Sequence, residues 1–341
     1  MTKQFLAAGL TLLVGCSGPQ KTPVVVYSPH GKEMLTAFER DYESLYPDED
    51  VQWLDMGSQD VLDRIRTEKE NPQADVWWGA PMTAFMKAEQ EGLLERYVPS
   101  WDSAVAPDFK SREAFWYGTF VTPEVIMYNS TRIAPGAAPK DWDDLLEPAW
   151  KDKIIIRSPL ASGTMRIIYA AMIFRQIRRG GNADAGLAWL RRLDANTKSY
   201  ASDPTQLYLK IAREEGLVTL WDLPDVMIQV KTNGYPFGFV IPASGTPLIT
   251  DGIALVRGAK HSAGGRRFYE FVTSRESLIR QAREFARIPA RDDIPAAELP
   301  AWIADLHLKP LPVDYDTLAA HEKEWMTLWD EQVRGRGKEG H

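Results

Sequence analysis

The chain has 341 residues, of which 47 are acidic and 40 basic, and its formal net charge is −7. A negative surface disfavours nucleic acid and anionic membrane surfaces as partners, but a small anionic ligand stays open because helix N-termini and a few local donors can bind one. At this length, two lobes of roughly 100 to 150 residues are expected rather than one large core.

The N-terminus predicts export and lipid anchoring. Lys3 precedes an apolar stretch that ends in the sequence Leu-Val-Gly before Cys16, the only cysteine of the chain. This arrangement is typical of a bacterial lipoprotein signal, in which a peptidase cuts before a cysteine that carries the lipid. We therefore predict a signal peptide over 1–15 and a lipidated tether over 16–22. No later window is apolar for the ~18 residues that a membrane-spanning helix needs.

Strands and helices alternate in the first part of the chain. Strands are predicted at 24–27, 51–54 and 74–78, and helices at 34–45, 61–69 and 82–91. The strands are short apolar runs, whereas the helices show apolar residues at helical spacing. This alternation predicts a parallel sheet with helices on both faces.

The remaining chain repeats the pattern after a long strand-like run at 115–128, which we interpret as a first crossing between lobes. Further strands are predicted at 153–157, 217–221, 237–242 and 251–256, with helices at 164–178, 185–193, 205–215, 262–273 and 275–285. We therefore predict an α/β fold of two parallel-sheet lobes joined by two crossing strands that act as a hinge. Lobe 1 is predicted over 23–124 and 242–291, lobe 2 over 125–241, and a tail of short outer helices over 292–341.

Four predicted strand ends offer candidate ligand-binding residues. In open parallel sheets, ligands bind where strands lead into helix N-termini, whose free N–H groups favour anions. The candidates from these loops are Ser28, His30, Gly31, Ser58, Gln59, Trp78, Gly79, Ser162, Gly163 and Thr164. Ser and Gly in such positions are also ordinary helix caps, which is the commoner role of any single one.

Aromatic and acidic residues near these loops extend the candidate site. Asp203 and Asp222 could accept hydrogen bonds from a ligand, and Trp221 could supply aromatic surface. Because Trp77 and Trp78 alternate on one strand, only one of them can face a cleft, and we predict that it is Trp78.

Five segments together carry a family resemblance. They read VYSPHGKE at 26–33, ADVWWG at 74–79, SGT at 162–164, DGIALVRGAKH at 251–261 and IPAR at 288–291. In this order they resemble the iron and related-solute binding proteins of bacterial ABC importers, which have the type II periplasmic binding fold. The resemblance implies capture of a small solute between the lobes, hinge closure, and docking on a membrane permease driven by a separate ATPase. We expect a monomer without a cofactor, at the periplasmic or cell-surface face of a bacterial membrane.

The resemblance leaves two ligand classes open. Ferric-iron members use a His or Glu after the first strand and two adjacent tyrosines in the second lobe, because hard anionic oxygens suit a hard cation. His30 and Glu33 are present here, but the expected tyrosine position reads Thr-Leu-Trp-Asp-Leu-Pro, and the nearest tyrosine is Tyr235. The chain looks closer to relatives that bind sugar phosphates or phosphonates. Iron held by His30, Glu33 and Tyr235 is the alternative, and otherwise we predict no metal site.

Two other classes of protein compete with a binding protein. A phosphate-ester-processing enzyme is disfavoured, because the sequence has no nucleophile elbow, His-Glu-x-x-His motif, P-loop or cysteine pair. A purely structural surface lipoprotein would have neither a cleft nor a ligand. We therefore predict a protein that binds its solute without transforming it.

Overall fold

The computed structural model describes residues 21–338. The predicted signal peptide, Cys16 and the rest of the predicted tether up to residue 20 therefore lie outside the described residues.

The first part of the described chain alternates strands with helices, as predicted. Its elements are β1 (Thr22–Ser28), α1 (Lys32–Leu45), β2 (Glu49–Asp55), α2 (Ser58–Thr67), β3 (Val76–Pro81), α3 (Met82–Gln90), β4 (Leu94–Glu95) and β5 (Tyr117–Asn129). Helix α1 illustrates the pattern, because Met34, Phe38 and Tyr42 recur every four residues and are buried together with Leu35.

The second part repeats this alternation, after which the chain returns to the first half of the sheet. Its elements are β6 (Ile154–Arg157), α4 (Gly163–Arg178), α5 (Ala183–Asn196), β7 (Thr197–Ala201), α6 (Pro204–Ala212), β8 (Val218–Asp222), α7 (Leu223–Asn233) and β9 (Phe237–Val240). The return comprises β10 (Leu248–Val256), α8 (Ser262–Val272), α9 (Arg275–Phe285), β11 (Ile288–Pro289), α10 (Ala301–Asp305) and α11 (Tyr315–Gln332). Strand β7 and helix α7 were not predicted.

The strands form one continuous path in the order β2-β1-β3-β10-β5-β8-β6-β7. The outer pairs are parallel, namely β1 with β2 and β3, and β6 with β7 and β8. The central strands β5 and β10 run antiparallel to their neighbours. The predicted two-lobed α/β fold is confirmed, with the correction that the sheet is mixed at its centre, where the chain crosses and returns.

Strand β5 joins the two halves of the molecule. Its first half pairs with β10, and its second half, from Glu124 onward, pairs with β8 and β9. The chain returns between β9 and β10, where the Glu124 N–H donates to the Pro247 carbonyl oxygen at 3.2 Å. We keep the proposed lobe boundaries, with lobe 1 over 23–124 and 242–291 and lobe 2 over 125–241.

The C-terminal tail differs from its prediction. Helix α11 has 18 residues, and its Trp325, Met326 and Trp329 are buried in the core of lobe 2. Its Glu322 also reaches Lys87 on α3 at 2.5 Å, which links the tail to lobe 1. The prediction of short outer helices was wrong because these large residues recur at helical spacing and bury an apolar face.

Candidate functional site

The N-terminal ends of α2 and α4 meet between the two lobes. A β-carbon placed on Gly57 would come within 3.0 Å of the Ala161 carbonyl oxygen, and one placed on Gly163 within 2.8 Å of both Ser58 Oγ and Pro81 Cδ. Only glycine allows so close an approach of backbone to neighbour. The cleft is therefore closed here, with predicted residues of both lobes facing each other.

A small cavity remains at this meeting point. Its volume is about 10 Å³, and it is lined by Ser58, Gln59, Pro81, Thr83, Ala84, Gly163, Arg166 and Glu322. That volume holds roughly one water molecule. Arg166 is a buried lining residue that the sequence analysis missed, and its Nη2 donates to the Leu160 carbonyl oxygen at 2.8 Å.

Three predicted ligand residues are helix caps. Ser162 Oγ accepts the Met165 N–H at 3.2 Å, Asp203 accepts the Gln206 N–H at 2.8 Å, and Asp222 accepts the Asp225 N–H at 2.9 Å. These contacts satisfy donors that α4, α6 and α7 would otherwise leave free. Thr164, in the first turn of α4, is half-buried.

His30 occupies a half-buried position next to β3. Its N–H donates to Ser28 Oγ at 3.2 Å, and its ring lies edge-on to Trp78 and Phe120, with centroids 5.3 and 5.1 Å away. Its Nε2 is buried and has no hydrogen-bond partner in residues 21–338. Burial lowers the pKa of His30 well below its ordinary value, and the positive charge of Arg287 lowers it further. Both effects favour the neutral imidazole.

Two glycines shape the loops around His30. Gly31 precedes α1 with φ 79°, and Gly79 in β3 has φ 98°, both in the region that favours glycine. A β-carbon on Gly79 would come within 2.4 Å of His30 Nε2.

The prediction that Trp78 lines the cleft was wrong. Both Trp77 and Trp78 are completely buried. Trp77 stacks on Phe85, while Trp78 packs edge-on against Phe38 and Phe268 on the other face of the sheet. Alternation along β3 does send the two indoles to opposite faces, but helices cover both faces, so neither indole is exposed.

The alternative iron ligands are not gathered at one point. Tyr235 packs on Phe237 in lobe 2, with ring centroids 5.3 Å apart, and Glu33 is exposed on α1 in lobe 1. Among residues 21–338, no group of three or more His, Cys, Asp or Glu side chains could hold a metal ion.

Arg157 is a functional candidate that the sequence analysis missed. It ends β6, is 6% exposed, and has no carboxylate within 4 Å in the described part of the chain. Nη1 makes one long hydrogen bond of 3.5 Å to the Ala201 carbonyl oxygen, and Nε has no partner among those residues. Burial lowers the pKa of Arg157, and the negative charges of Asp203 and Asp60 oppose this shift. A buried, incompletely paired guanidinium at a strand end is suited to bind an anion.

Four acidic residues gather where the crossing segments touch. This carboxyl cluster comprises Glu124, Asp222, Asp225 and Asp251. Burial raises the pKa of Glu124 well above its ordinary value, and the negative charges of the other three raise it further. Burial likewise raises the pKa of Asp222 and Asp251. A glutamate within the otherwise uncharged β5 was the available sequence signal, because glutamate is rarely fully buried.

Arg287 is a cation beside the carboxyl cluster, and its positive charge acts on Asp222 and Asp251. Its Nη2 lies 3.6 Å from Asp225 Oδ1, and its guanidinium lies over the Phe120 ring, 5.7 Å from the centroid. Asp225 also accepts hydrogen bonds from the Tyr208 hydroxyl at 2.6 Å and from Trp221 Nε1 at 3.2 Å. Arg287 follows α9 in lobe 1, whereas Asp225 lies on α7 in lobe 2, so this contact crosses the cleft.

Comparison with known proteins identifies the family. The family described as bacterial extracellular solute-binding protein matches residues 72–307, more than half of the chain. The chain belongs to this family. A probable ABC transporter periplasmic-binding protein of Sinorhizobium fredii is 26% identical to it, over 98% of this chain and 93% of the relative. A putative 2-aminoethylphosphonate-binding periplasmic protein of Salmonella typhimurium is 27% identical, over 82% of this chain and 78% of the relative.

Solved structures share the fold of this binding protein. The periplasmic binding protein AfuA from Actinobacillus pleuropneumoniae, solved with fructose-6-phosphate, superposes with a TM-score of 0.79 at 23% identity, covering 92% of this chain and 99% of AfuA. Iron-bound HitA from Pseudomonas aeruginosa gives 0.74 at 19% identity, covering 90% and 98%. The predicted class is confirmed, and the chain is a solute-binding protein of an ABC importer. In residues 21–338, no helix is long and apolar enough to cross a membrane.

Proposed function

We propose that this binding protein captures a small solute carrying a phosphate or phosphonate group in the cleft between its lobes and delivers it to the importer's permease. It binds the solute without chemical change. The phosphoryl group is assigned to Arg157 and to the facing N-terminal ends of α2 and α4, with Ser58, Gly163 and Thr164 as the nearest donors.

The buried guanidinium of Arg157 carries this proposal. Removing an arginine from water without a carboxylate partner costs free energy, which an anionic ligand would return. Ser58 and Gly163 approach each other across the cleft, so N–H groups from both lobes could reach one anion that enters while the lobes are apart. Relatives named for a phosphonate and a structure solved with a sugar phosphate agree with this ligand class.

Ferric iron is the less favoured ligand. Tyr235 packs against Phe237, and the buried Nε2 of His30 faces Gly79. Because His30, Glu33 and Tyr235 do not form a ligand set, the proposal excludes them as an iron site. A tyrosinate charge-transfer band on adding ferric citrate would contradict this exclusion.

Isothermal titration calorimetry tests the phosphoryl assignment. The purified protein is titrated with inorganic phosphate, a hexose phosphate, a series of alkylphosphonates and aminoalkylphosphonates, and carboxylates of matched length. At least one phosphoryl compound should bind, and the matched carboxylates should bind more weakly. Arg157→Gln should then lower the affinity by about 10- to 100-fold, since it removes a hydrogen bond between charged groups.

Arg132→Gln is the matched control, because the Arg132 side chain is 57% exposed and pairs with Glu214 on the surface. The control should bind like the unaltered protein. Equal affinity of the Arg157→Gln variant and this control would overturn the assignment. Turnover of any bound phosphate ester would contradict binding without chemistry.

We also propose that Cys16 carries the lipid anchor that holds the protein at the membrane. The support is the signal-like sequence before this single cysteine. Cys16→Ser should release the protein from the membrane fraction of a producing bacterium. Retention in that fraction would contradict the anchor.

A further inference from the structure

We propose that lobe 1 has a second binding site, in a cavity separate from the cleft, and that this site takes a small organic dianion such as a short dicarboxylate. The cavity has a volume of about 310 Å³, and all of its lining residues lie within the segment 96–117. That segment leads from β4 into β5 and contains no residue assigned to the phosphoryl site. The inference is therefore independent of the proposed function.

Positive charge predominates in this cavity. Its charged lining residues are one carboxylate, Asp102, and three cations, Arg96, Lys110 and Arg112. The chain as a whole carries a formal net charge of −7, so the local charge is opposite in sign to that of the rest of the molecule. A concave place lined by cations attracts anions even on an acidic protein.

Lys110 and Asp102 compensate each other's charge. Lys110 Nζ lies 2.9 Å from Asp102 Oδ1 and also donates to the Asp102 carbonyl oxygen at 2.6 Å. The Tyr117 hydroxyl donates to the same carboxylate oxygen at 2.8 Å, and the Lys110 ammonium lies 5.8 Å from the centroid of the Tyr117 ring. These contacts satisfy the one carboxylate of the cavity, which leaves the two arginines as its uncompensated charges.

Arg96 and Arg112 supply the donors for a ligand. Arg112 is exposed, and its side chain has no hydrogen bond or ion pair within residues 21–338. Arg96 Nε donates to the Glu113 carbonyl oxygen at 3.2 Å, a bond that does not neutralise the guanidinium. A guanidinium can bind a carboxylate through two parallel hydrogen bonds. Two guanidiniums in one cavity therefore suit a ligand with two carboxylates.

The size and the apolar part of the cavity favour an organic ligand over an inorganic anion. Val98 and Pro107 belong to its lining, and their side chains offer apolar surface to a short carbon chain. The volume lies at the lower end of the ~300 to 1,000 Å³ that is typical of small-molecule sites. A chain of a few carbons between two carboxylates fits both features.

Calorimetry with succinate and glutarate tests the site, with butyrate as the matched compound that has one carboxylate. The ionic strength is held constant, because salt screens exposed charges. A dicarboxylate should bind saturably and about 10-fold more tightly than butyrate. Arg96→Gln and Arg112→Gln should each lower its affinity by about 3- to 10-fold. Arg192→Gln, which removes an exposed positive charge from α5 in lobe 2, should bind like the unaltered protein.

The outcomes separate this site from the cleft. Dicarboxylate binding should persist in Arg157→Gln. Loss of binding in that variant, with retention in the Arg96→Gln/Arg112→Gln double variant, would place the dicarboxylate in the cleft and overturn the second site. Equal affinity for dicarboxylate and butyrate, or no saturable binding of either dicarboxylate, would also overturn it. If no phosphoryl compound binds but the dicarboxylate behaves as expected, only the proposed function fails.

Discussion

Gly79 lies directly against the imidazole of His30, so close that a β-carbon at this position would come within 2.4 Å of Nε2. The contact holds the ring between β3 and the aromatic side chains of Trp78 and Phe120. Because neighbouring side chains pack against the ring, it cannot move away from an added methyl group without displacing one of them.

Gly79→Ala should therefore destabilise the protein by about 2 to 4 kcal/mol, which combines the strain of a positive φ with overpacking. Gly180→Ala is the control, because Gly180 has φ 89° but no atom within 4 Å of an added β-carbon. The free energies of unfolding in urea measure both. If the two substitutions lower the free energy of unfolding equally, the collision with His30 does not contribute to the destabilisation.

Substitutions of Ser162 and Thr164 should have different effects, the first on stability and the second on ligand affinity. Ser162→Ala removes the cap of α4 and should lower the free energy of unfolding by about 1 kcal/mol. Thr164→Val should leave stability nearly unchanged but weaken binding of a phosphoryl solute by roughly 1 to 3 kcal/mol, if its hydroxyl bonds the anion. Chemical denaturation and calorimetry give the two quantities. Unchanged affinity of the valine variant would remove Thr164 from the site.

The ion pair between Lys87 and Glu322 should be structurally important, because the carboxylate side chain is only 3% exposed. Lys87→Met leaves this charge buried without its partner and should cost about 3 to 5 kcal/mol. Lys69→Met is the control, since Lys69 is 60% exposed and 3.8 Å from Glu70; it should change stability by less than about 1 kcal/mol. Urea unfolding compares the free energies of unfolding of the two variants. Similar values would contradict a stabilising role for the buried ion pair.

Glu124 should make stability fall with rising pH. Its pKa is raised in the folded state, so the folded protein binds more protons than the unfolded chain above the ordinary value of 4.5. The stability that this shift contributes is fully present below pH 4.5 and is lost as the pH rises toward the pKa of the folded state. Each pH unit between the two values amounts to about 1.4 kcal/mol.

Glu124→Gln should remove this dependence. Unfolding measured between pH 4 and 8 should show the variant becoming progressively more stable relative to the unaltered protein, with Asp222 and Asp251, whose pKa values burial also raises, present in both. Glu331→Gln, which changes an exposed carboxylate on α11, should follow the unaltered protein throughout. A constant difference across this range would mean that folding does not shift the pKa of Glu124.

Local patterns in the sequence predicted much of the fold. Helix α9 (Arg275–Phe285) was predicted with the bounds that it has, and α4 began within one residue of its prediction. Residues near each other in sequence decide such elements, through apolar spacing and caps. The antiparallel centre of the sheet was missed, because an apolar run does not reveal the direction of the strand beside it.

Some residues of the candidate site could likewise be predicted from the sequence, and others could not. The strand-end loops containing Ser58 and Gly163 could be named from the sequence, because small residues before helices mark such loops. Arg157 and Glu124 could not, since a charged residue becomes a candidate only when folding buries it without a partner. The sequence by itself determined the α/β class, the alternation of elements and the family. Only the tertiary structure decided which charges remain uncompensated in the cleft, because burial and pairing depend on contacts between segments far apart in the chain.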